Sequence, residues 1–404
     1  MKKKEKLIPN RFYWSIYMLG SKLLAKNKAH YKINKDNDFY KRDKKKGSIV
    51  IYNHASNIDH LISTAFFGST RVNYVVTRRF AYVKSMRIVF KLVNAIVRDQ
   101  FKADLSSILK MRKTVEKGGT ICIAPTGQVS IHGGMNPVHP SIVKLIRMCK
   151  VDVYCLQMKG NHLNFPKWAD KIHKYPVDID CIKIIDSEKL KELSDDEIYN
   201  AVVESLRVID IEKQKELLIP LKGKELNKGF TSTYYLCSKC KELYTLKETD
   251  NDIIECKACG NRIKYDKYGF LVPVDDSISF KDEYEWYNAQ EALIKEGIIN
   301  HTYNKTSKVK LYSNTLDNLN LEYVGEGILS FNSEELVYDG TFRDENIHKV
   351  FDLNKVYQFP FKPLTRFNIP DDDCMFEFVP ENLIEVTEWG QLAGAIYAVV
   401  HQDA

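Results

Sequence analysis

Ser48-Ile49-Val50-Ile51-Tyr52-Asn53-His54-Ala55-Ser56-Asn57-Ile58-Asp59-His60 is an apolar run that breaks at once into a polar turn. Three consecutive β-branched residues mark Ser48–Tyr52 as a buried strand. The turn after it delivers His54. Asp59 follows five residues later, where a helix continuing over Leu61–Phe67 is expected to start. At that spacing the carboxylate can accept a hydrogen bond from one imidazole nitrogen, leaving the other as a base for a substrate proton. A capped turn with a surface histidine fits the same residues, and the residues alone leave both readings open.

Outward from this stretch, strands alternate with helices. Tyr74–Thr77, Ala95–Val97, Thr120–Ala124 and Val151–Met158 read as strands. Leu105–Lys117 reads as an amphipathic helix stopped by Gly118-Gly119. Ser194-Asp195-Asp196-Glu197 is a capping box that opens a helix through Leu206. The alternation predicts an α/β domain with a largely buried sheet over residues 35–225.

Asn53-His54-x-Ser56-x-x-Asp59 behind an apolar strand resembles the first motif of the glycerolipid acyltransferases, the lysophosphatidic acid acyltransferase family. The order of elements is similar across residues 35–215. The resemblance implies an O-acyltransferase. His54 would deprotonate an acceptor hydroxyl, Asp59 would orient His54, and the acyl donor would be a thioester of coenzyme A or acyl carrier protein. Asn53 and Ser56 fall with the substrate-binding residues and shape the turn. Arg98, at the end of Asn94-Ala95-Ile96-Val97-Arg98, matches motif two and can pair bidentately with phosphate. Pro125, Thr126, Gly127 and Gln128 match motif three, the loop that would hold a lysophosphatidic acid-like or other lysolipid acceptor. Motif three retains Pro125, Gly127 and Ser130, but Thr126, Gln128 and Val129 stand where Glu, Thr and Arg are usual. Asn94 replaces a motif-two glycine, and Cys155 a motif-four proline. These departures motivate an alternative, a non-catalytic membrane-associated scaffold with a degenerate acyltransferase domain. His132 and His139 follow motif three and are expected as ordinary loop histidines, with a place in the acceptor pocket as the sharper alternative.

Cys237-x-x-Cys240 and Cys256-x-x-Cys259 are separated by a stretch long enough for a hairpin that brings four thiolates around one ion. Four soft sulfurs in tetrahedral array suit structural zinc, and Gly260 allows the second knuckle turn. Free thiols or iron are the competing readings. The pattern over residues 226–275 resembles a zinc ribbon. It lacks the basic-aromatic stripe of a nucleic-acid binder, so nucleic acid is not expected as a partner.

The chain has 404 residues, room for two or three domains. Hydrophobic residues at 44% and charged residues at 28% exclude wholesale disorder. No apolar run predicts a transmembrane helix, and no secretory signal is read. Cys122, Cys149, Cys155, Cys181 and Cys374 are scattered, which fits a reducing cytoplasm. Charge is uneven. Residues 1–47 carry fifteen Lys/Arg against four Asp/Glu, whereas residues 301–404 carry eight against seventeen. Residues 1–34, basic and aromatic, are expected to lie on an anionic membrane surface, making the protein peripheral to a membrane and cytoplasmic; a core helix with solvated ends is the competing reading. A charged helical segment begins the stretch 276–404. Short runs follow at Val309–Tyr312, Gly327–Phe331, Glu335–Tyr338, Val350–Leu353, Lys355–Phe359, Met375–Phe378 and Leu383–Val386, and Trp389–Val400 closes the chain as a helix. They predict a small all-β barrel capped by a helix, resembling a pleckstrin-homology module. Its net charge of −9 opposes anionic headgroups and favours a protein partner. Asp371-Asp372-Asp373 reads as a solvated turn.

Overall fold

The computed structural model describes residues 6–98, 104–314, 321–356, 358–371 and 375–400. Two compact units emerge from the contacts, one built from residues up to 226 with the loop 266–270, the other from 227–265 and 271 onward.

The first unit is a seven-stranded sheet flanked by helices. Its strands are β1 (His30–Ile33), β2 (Ser48–Tyr52), β3 (Val72–Thr77), β4 (Ile96–Arg98), β5 (Thr120–Ile123), β6 (Asp152–Lys159) and β7 (Pro176–Ile185). Their spatial order is β1-β7-β6-β2-β5-β3-β4. Every pairing is parallel except β6 with β7. All five residues of central β2 are buried. The strand's twofold alternation sends Val50 and Tyr52 into one core, with Trp14, Phe39, Ile62 and Phe66, and Ile49 and Ile51 into the other, with Met111, Ile121, Ile146 and Val202. Fully burying each aliphatic side chain of β2 contributes about 1.5–3 kcal/mol.

The helices are α1 (Arg11–Lys28), α2 (Asp38–Lys41), α3 (Asp59–Phe67), α4 (Arg78–Ala81), α5 (Lys84–Leu92), α6 (Leu105–Glu116), α7 (Ser141–Cys149), α8 (Asn161–Asn164), α9 (Asp195–Leu206) and α10 (Asp210–Leu217). The capping box at Ser194 is present in full. Gly118 follows α6 with φ of +77°, the left-handed turn that lets Gly119 N–H reach the Thr114 carbonyl. The parallel strands place the turns after β2, β5 and β6 at one end of the sheet, where open α/β folds build their sites.

The second unit joins a four-stranded antiparallel sheet to a seven-stranded one. β8 (Leu246–Thr249), β9 (Ile253–Cys256), β10 (Arg262–Tyr265) and β11 (Leu271–Pro273) pair in chain order. Helix α11 (Glu283–Ile299) follows. Then come β12 (Lys305–Ser313), β13 (Glu322–Phe331), β14 (Leu336–Phe342), β15 (Glu345–Phe351), β16 (Phe361–Lys362), β17 (Arg366–Pro370) and β18 (Met375–Pro380), ordered β15-β14-β13-β12-β18-β17-β16. Helix α12 (Val386–Val400) sets Trp389, Leu392 and Ile396 into the core beside Leu311, Phe331, Phe367 and Phe378.

Leu383–Val386, expected as a strand, is a 3-10 turn running into α12. A run of four apolar-rich residues does not separate a strand from the first turn of a helix. Leu353–Lys355 is also a 3-10 turn, and residue 357 of the run expected over Lys355–Phe359 lies outside the described residues, as do Asp372, Asp373 and Cys374.

Buried polar groups tie the segment before β8 to α11 and α12, and α12 to β12. Trp286 Nε1 donates to the Leu236 carbonyl at 2.9 Å, and the Tyr235 hydroxyl donates to Gln391 Oε1 at 2.6 Å. Lys305 pairs with Glu388 in the interior, where the Tyr244 and Tyr303 hydroxyls also donate to the Glu388 carboxylate.

Candidate functional site

The turn after β2 is fixed from both sides. Asn53 binds β6 through its side-chain amide, accepting the Met158 N–H at 2.7 Å and donating to the Met158 carbonyl at 3.2 Å. Ser56 Oγ donates to the Phe165 carbonyl at 2.7 Å. Between these anchors His54 and Asp59 face each other, with His54 Nδ1 2.6 Å from Asp59 Oδ2. Asp59 is 1% exposed. Burying a carboxylate is costly unless donors replace water. Here Oδ2 also takes the Ala55 and Ser56 N–H groups at 2.9 and 3.1 Å, and Oδ1 takes the Asn161 side-chain amide. The His54 side chain keeps 22% exposure.

His54 lines a small cleft with Asn53, Thr126, Ser130, Gly133 and Asn136. Ser130 N–H donates to the His54 carbonyl at 2.7 Å, joining the turn after β5 to the turn after β2. Ser130 Oγ is buried without a hydrogen-bond partner. Gly133, with φ of +73°, leaves no room for a side chain, because a Cβ there would lie 2.6 Å from the His162 ring.

Of the residues singled out in the sequence, Asn53, His54 and Thr126 line this cleft, and Asp59 stands behind His54. Ser56, Arg98, Pro125, Gly127 and Gln128 are not in its lining. Thr126 Oγ1 donates to the Gln128 carbonyl at 3.1 Å, which makes the loop self-supporting. The Gln128 amide nitrogen and Arg98 Nε are buried and have no hydrogen-bond partner among the described residues. Burial pushes the Arg98 guanidinium pKa below its usual value, against the pull of Asp104. His132 and His139 are turned to their own backbone, accepting the Gly134 and Ser141 N–H groups through Nδ1. Neither lines the cleft. Sequence reasoning missed Asn161, which lies 102 positions from its carboxylate partner. Only the return of β6 beside β2 brings the two together.

Asn94 explains one departure from the family pattern. Its φ is +50°, a conformation glycine adopts freely and asparagine tolerates. Its side chain then donates to the Lys6 and Leu7 carbonyls, fastening the segment before α1 to the turn after α5.

In the second unit the sulfurs of Cys237, Cys240, Cys256 and Cys259 lie within 4.8 Å of one another. The Cys237–Cys259 and Cys240–Cys256 separations are 3.7 and 3.8 Å. A tetrahedral ion with metal–sulfur bonds of about 2.3 Å requires sulfurs about 3.8 Å apart. The donor set therefore fits a four-coordinate, thiolate-bound metal with no position left for substrate.

Two surface helices carry apolar side chains beside basic ones. Phe12, Ile16, Leu19 and Leu23 of α1 are exposed at helical spacing. Helix α5 has no buried residue and exposes Ile88 and Leu92 beside Lys84 and Lys91. No helix among the described residues is long and apolar enough to cross a membrane.

Residues 31–159 match the family model described as Acyltransferase, and residues 231–267 match that of the DNA directed RNA polymerase 7 kDa subunit, a zinc ribbon. The α/β unit thus carries an acyltransferase-type domain over residues 31–159, and the cysteine cluster falls in a stretch that matches a zinc ribbon. No curated protein sequence matches the chain significantly. Among solved structures, the 1-acyl-sn-glycerophosphate (LPA) acyltransferase PlsC from Thermotoga maritima is similar at 14% identity and a TM-score of 0.39, covering 51% of this chain and 82% of that one. A likeness that loose fixes neither substrate nor mechanism.

Proposed function

We propose that this chain is an O-acyltransferase that moves a fatty acyl group from a thioester of coenzyme A or acyl carrier protein to a hydroxyl of a lysophosphatidic acid-like or other lysolipid acceptor. The carrying observation is the 2.6 Å contact of His54 Nδ1 with buried Asp59, beside a cleft that His54 lines. With Nδ1–H held by the carboxylate, Nε2 is left to accept the acceptor's proton as its oxygen attacks the thioester carbonyl. Collapse of the tetrahedral intermediate breaks the C–S bond, and the imidazolium returns the proton to the leaving thiolate. Asp59 stabilises the imidazolium while it lasts. Arg98 and the Pro125–Gln128 loop hold the acceptor, with the arginine suited to a phosphate.

The metal is zinc, held by Cys237, Cys240, Cys256 and Cys259 as a structural ion that stabilises a module too small for a core of its own. The protein is peripheral to a membrane, with the α1 stripe in the interface and neighbouring lysines on anionic headgroups. Asn94 ties the segment before α1 to the turn after α5, which supports a shared membrane-facing side for the two helices. The acidic C-terminal sheet and its helix serve a protein partner.

The test is thiol release from an acyl thioester across a panel of lysolipids and polar alcohols. Acceptor-dependent release with an acylated product supports the reading. Vesicle binding without thioester consumption supports a non-catalytic scaffold, which the Thr126, Gln128 and Val129 departures favour.

A further inference from the structure

A second recess, of about 350 Å³, lies at the other end of α3 from Asp59. Nine helical residues, about 13 Å, separate it from the His54 turn. Lys22 from α1, Arg42 and Lys44 from the segment before β2, and Ser69 and Thr70 from the turn after α3 line it, and no carboxylate among the described residues does. Among the described residues none of the three cations forms an ion pair. Asp43, between two of them in sequence, is occupied by the Lys45 N–H at 2.9 Å.

Like charges gathered in a recess repel one another, so the arrangement is unfavourable until an anion enters. Arg42 is held in place rather than left loose. Its guanidinium lies 3.6 Å over the Phe39 ring and donates from one terminal nitrogen to the Phe39 carbonyl, while Nε is buried with no partner. Lys22 reaches the turn after α3, its ammonium 3.9 Å from where a Gly68 Cβ would be. The negative end of the α3 dipole accounts for one lysine there, not for three cations. Nor are these cations needed as caps. The carbonyls of Thr64, Phe66, Phe67 and Gly68 already accept from Gly68 N–H, the Tyr40 hydroxyl, Thr70 N–H and Trp14 Nε1.

We propose that this recess is an anion site that takes a phosphate group, with Arg42 and the two lysines supplying charge and Ser69 and Thr70 supplying hydroxyl donors. The phosphate belongs either to a soluble phosphate ion or to the monoester headgroup of a lipid beside α1. The site is independent of acyl transfer, so its failure and the failure of the His54 chemistry are read separately.

The test uses the full chain and two probes. Inorganic phosphate is titrated calorimetrically. Phosphatidylcholine vesicles containing phosphatidic acid are compared with vesicles of equal surface charge containing phosphatidylserine. Saturable phosphate binding identifies a soluble-anion site. Preference for phosphatidic acid over phosphatidylserine without phosphate binding identifies a headgroup site. In either case Lys22→Gln with Lys44→Gln weakens binding about tenfold or more, and Arg42→Gln does the same. The lysine pair keeps the test meaningful if Arg42→Gln disturbs the Phe39 packing. No saturable phosphate binding together with equal binding to the two vesicle types overturns the proposal, as does full affinity in the lysine double variant.

Discussion

The Asn161 side chain donates to Asp59 Oδ1, the carboxylate oxygen that His54 leaves free. Asn161 therefore positions the acid behind the proposed base without reaching the cleft itself. Asn161→Asp sets a second carboxyl against the buried Asp59 Oδ1, where two carboxylates in contact cannot both ionise, so the pair keeps a proton between them and shares one negative charge. The negative charge behind His54 is then shared between two residues, and kcat should fall with KM little changed. Asn161→Ala removes one hydrogen bond to a buried charge and should cost about 1–3 kcal/mol of stability. An unchanged kcat in Asn161→Asp would show that Asn161 does not position Asp59.

The α1 stripe predicts membrane affinity that depends on apolar side chains already exposed to water. Phe12→Ser with Leu19→Ser should weaken partitioning into anionic vesicles roughly tenfold or more, while the melting temperature stays nearly constant. Sedimentation with vesicles measures the first and thermal unfolding the second. Unchanged partitioning would place the membrane surface elsewhere.

Chelation should divide the cysteines into two sets. Burial pushes the Cys122, Cys155 and Cys181 thiols up, and that of Cys149 to about 12, so none of them is a ready nucleophile in the folded chain. In native protein with one zinc bound, these four and the zinc ligands should resist alkylation at pH 8. Removing the metal should expose Cys237, Cys240, Cys256 and Cys259 to labelling. Peptide mapping after chelation tests this, and labelling of Cys149 before Cys259 would contradict it.

Lys305 and Glu388 form a buried pair that also receives two tyrosine hydroxyls. Lys305→Met strands the carboxylate and should destabilise the second unit by about 3–5 kcal/mol, measured by urea unfolding. Lys305→Met with Glu388→Leu should recover much of that loss. A single variant as stable as the double would mean that Glu388 is satisfied by the tyrosines alone.

Much of the first unit was legible because β2 is buried on both faces and reads as an uninterrupted apolar run. The Ser194 capping box and the Gly118 turn were equally plain, since both are local. β7 carried a period-two signal in Val177-Asp178-Ile179-Asp180-Cys181, but its antiparallel place beside β6 is set by the whole sheet. Helix α4 is too short to show a helical period, whereas α5 carries a plain amphipathic pattern that was legible in the sequence and missed. His54 and Asp59 were within reach of sequence because five residues separate them. Asn161 and the unpartnered hydroxyl of Ser130 were not, since each acquires its role only when distant strands converge. The cysteine spacing carried the metal cluster, whereas the buried ties from Tyr235 and Tyr244 to α12 have no local signature.

The most direct measurement compares His54→Ala with the unaltered chain for transfer of a labelled acyl group from a thioester to the best acceptor in the panel. Loss of transfer by about 10²-fold or more, with vesicle binding and melting temperature preserved, is the predicted result. Transfer at the unaltered rate would contradict the assignment of the His54 imidazole as the base.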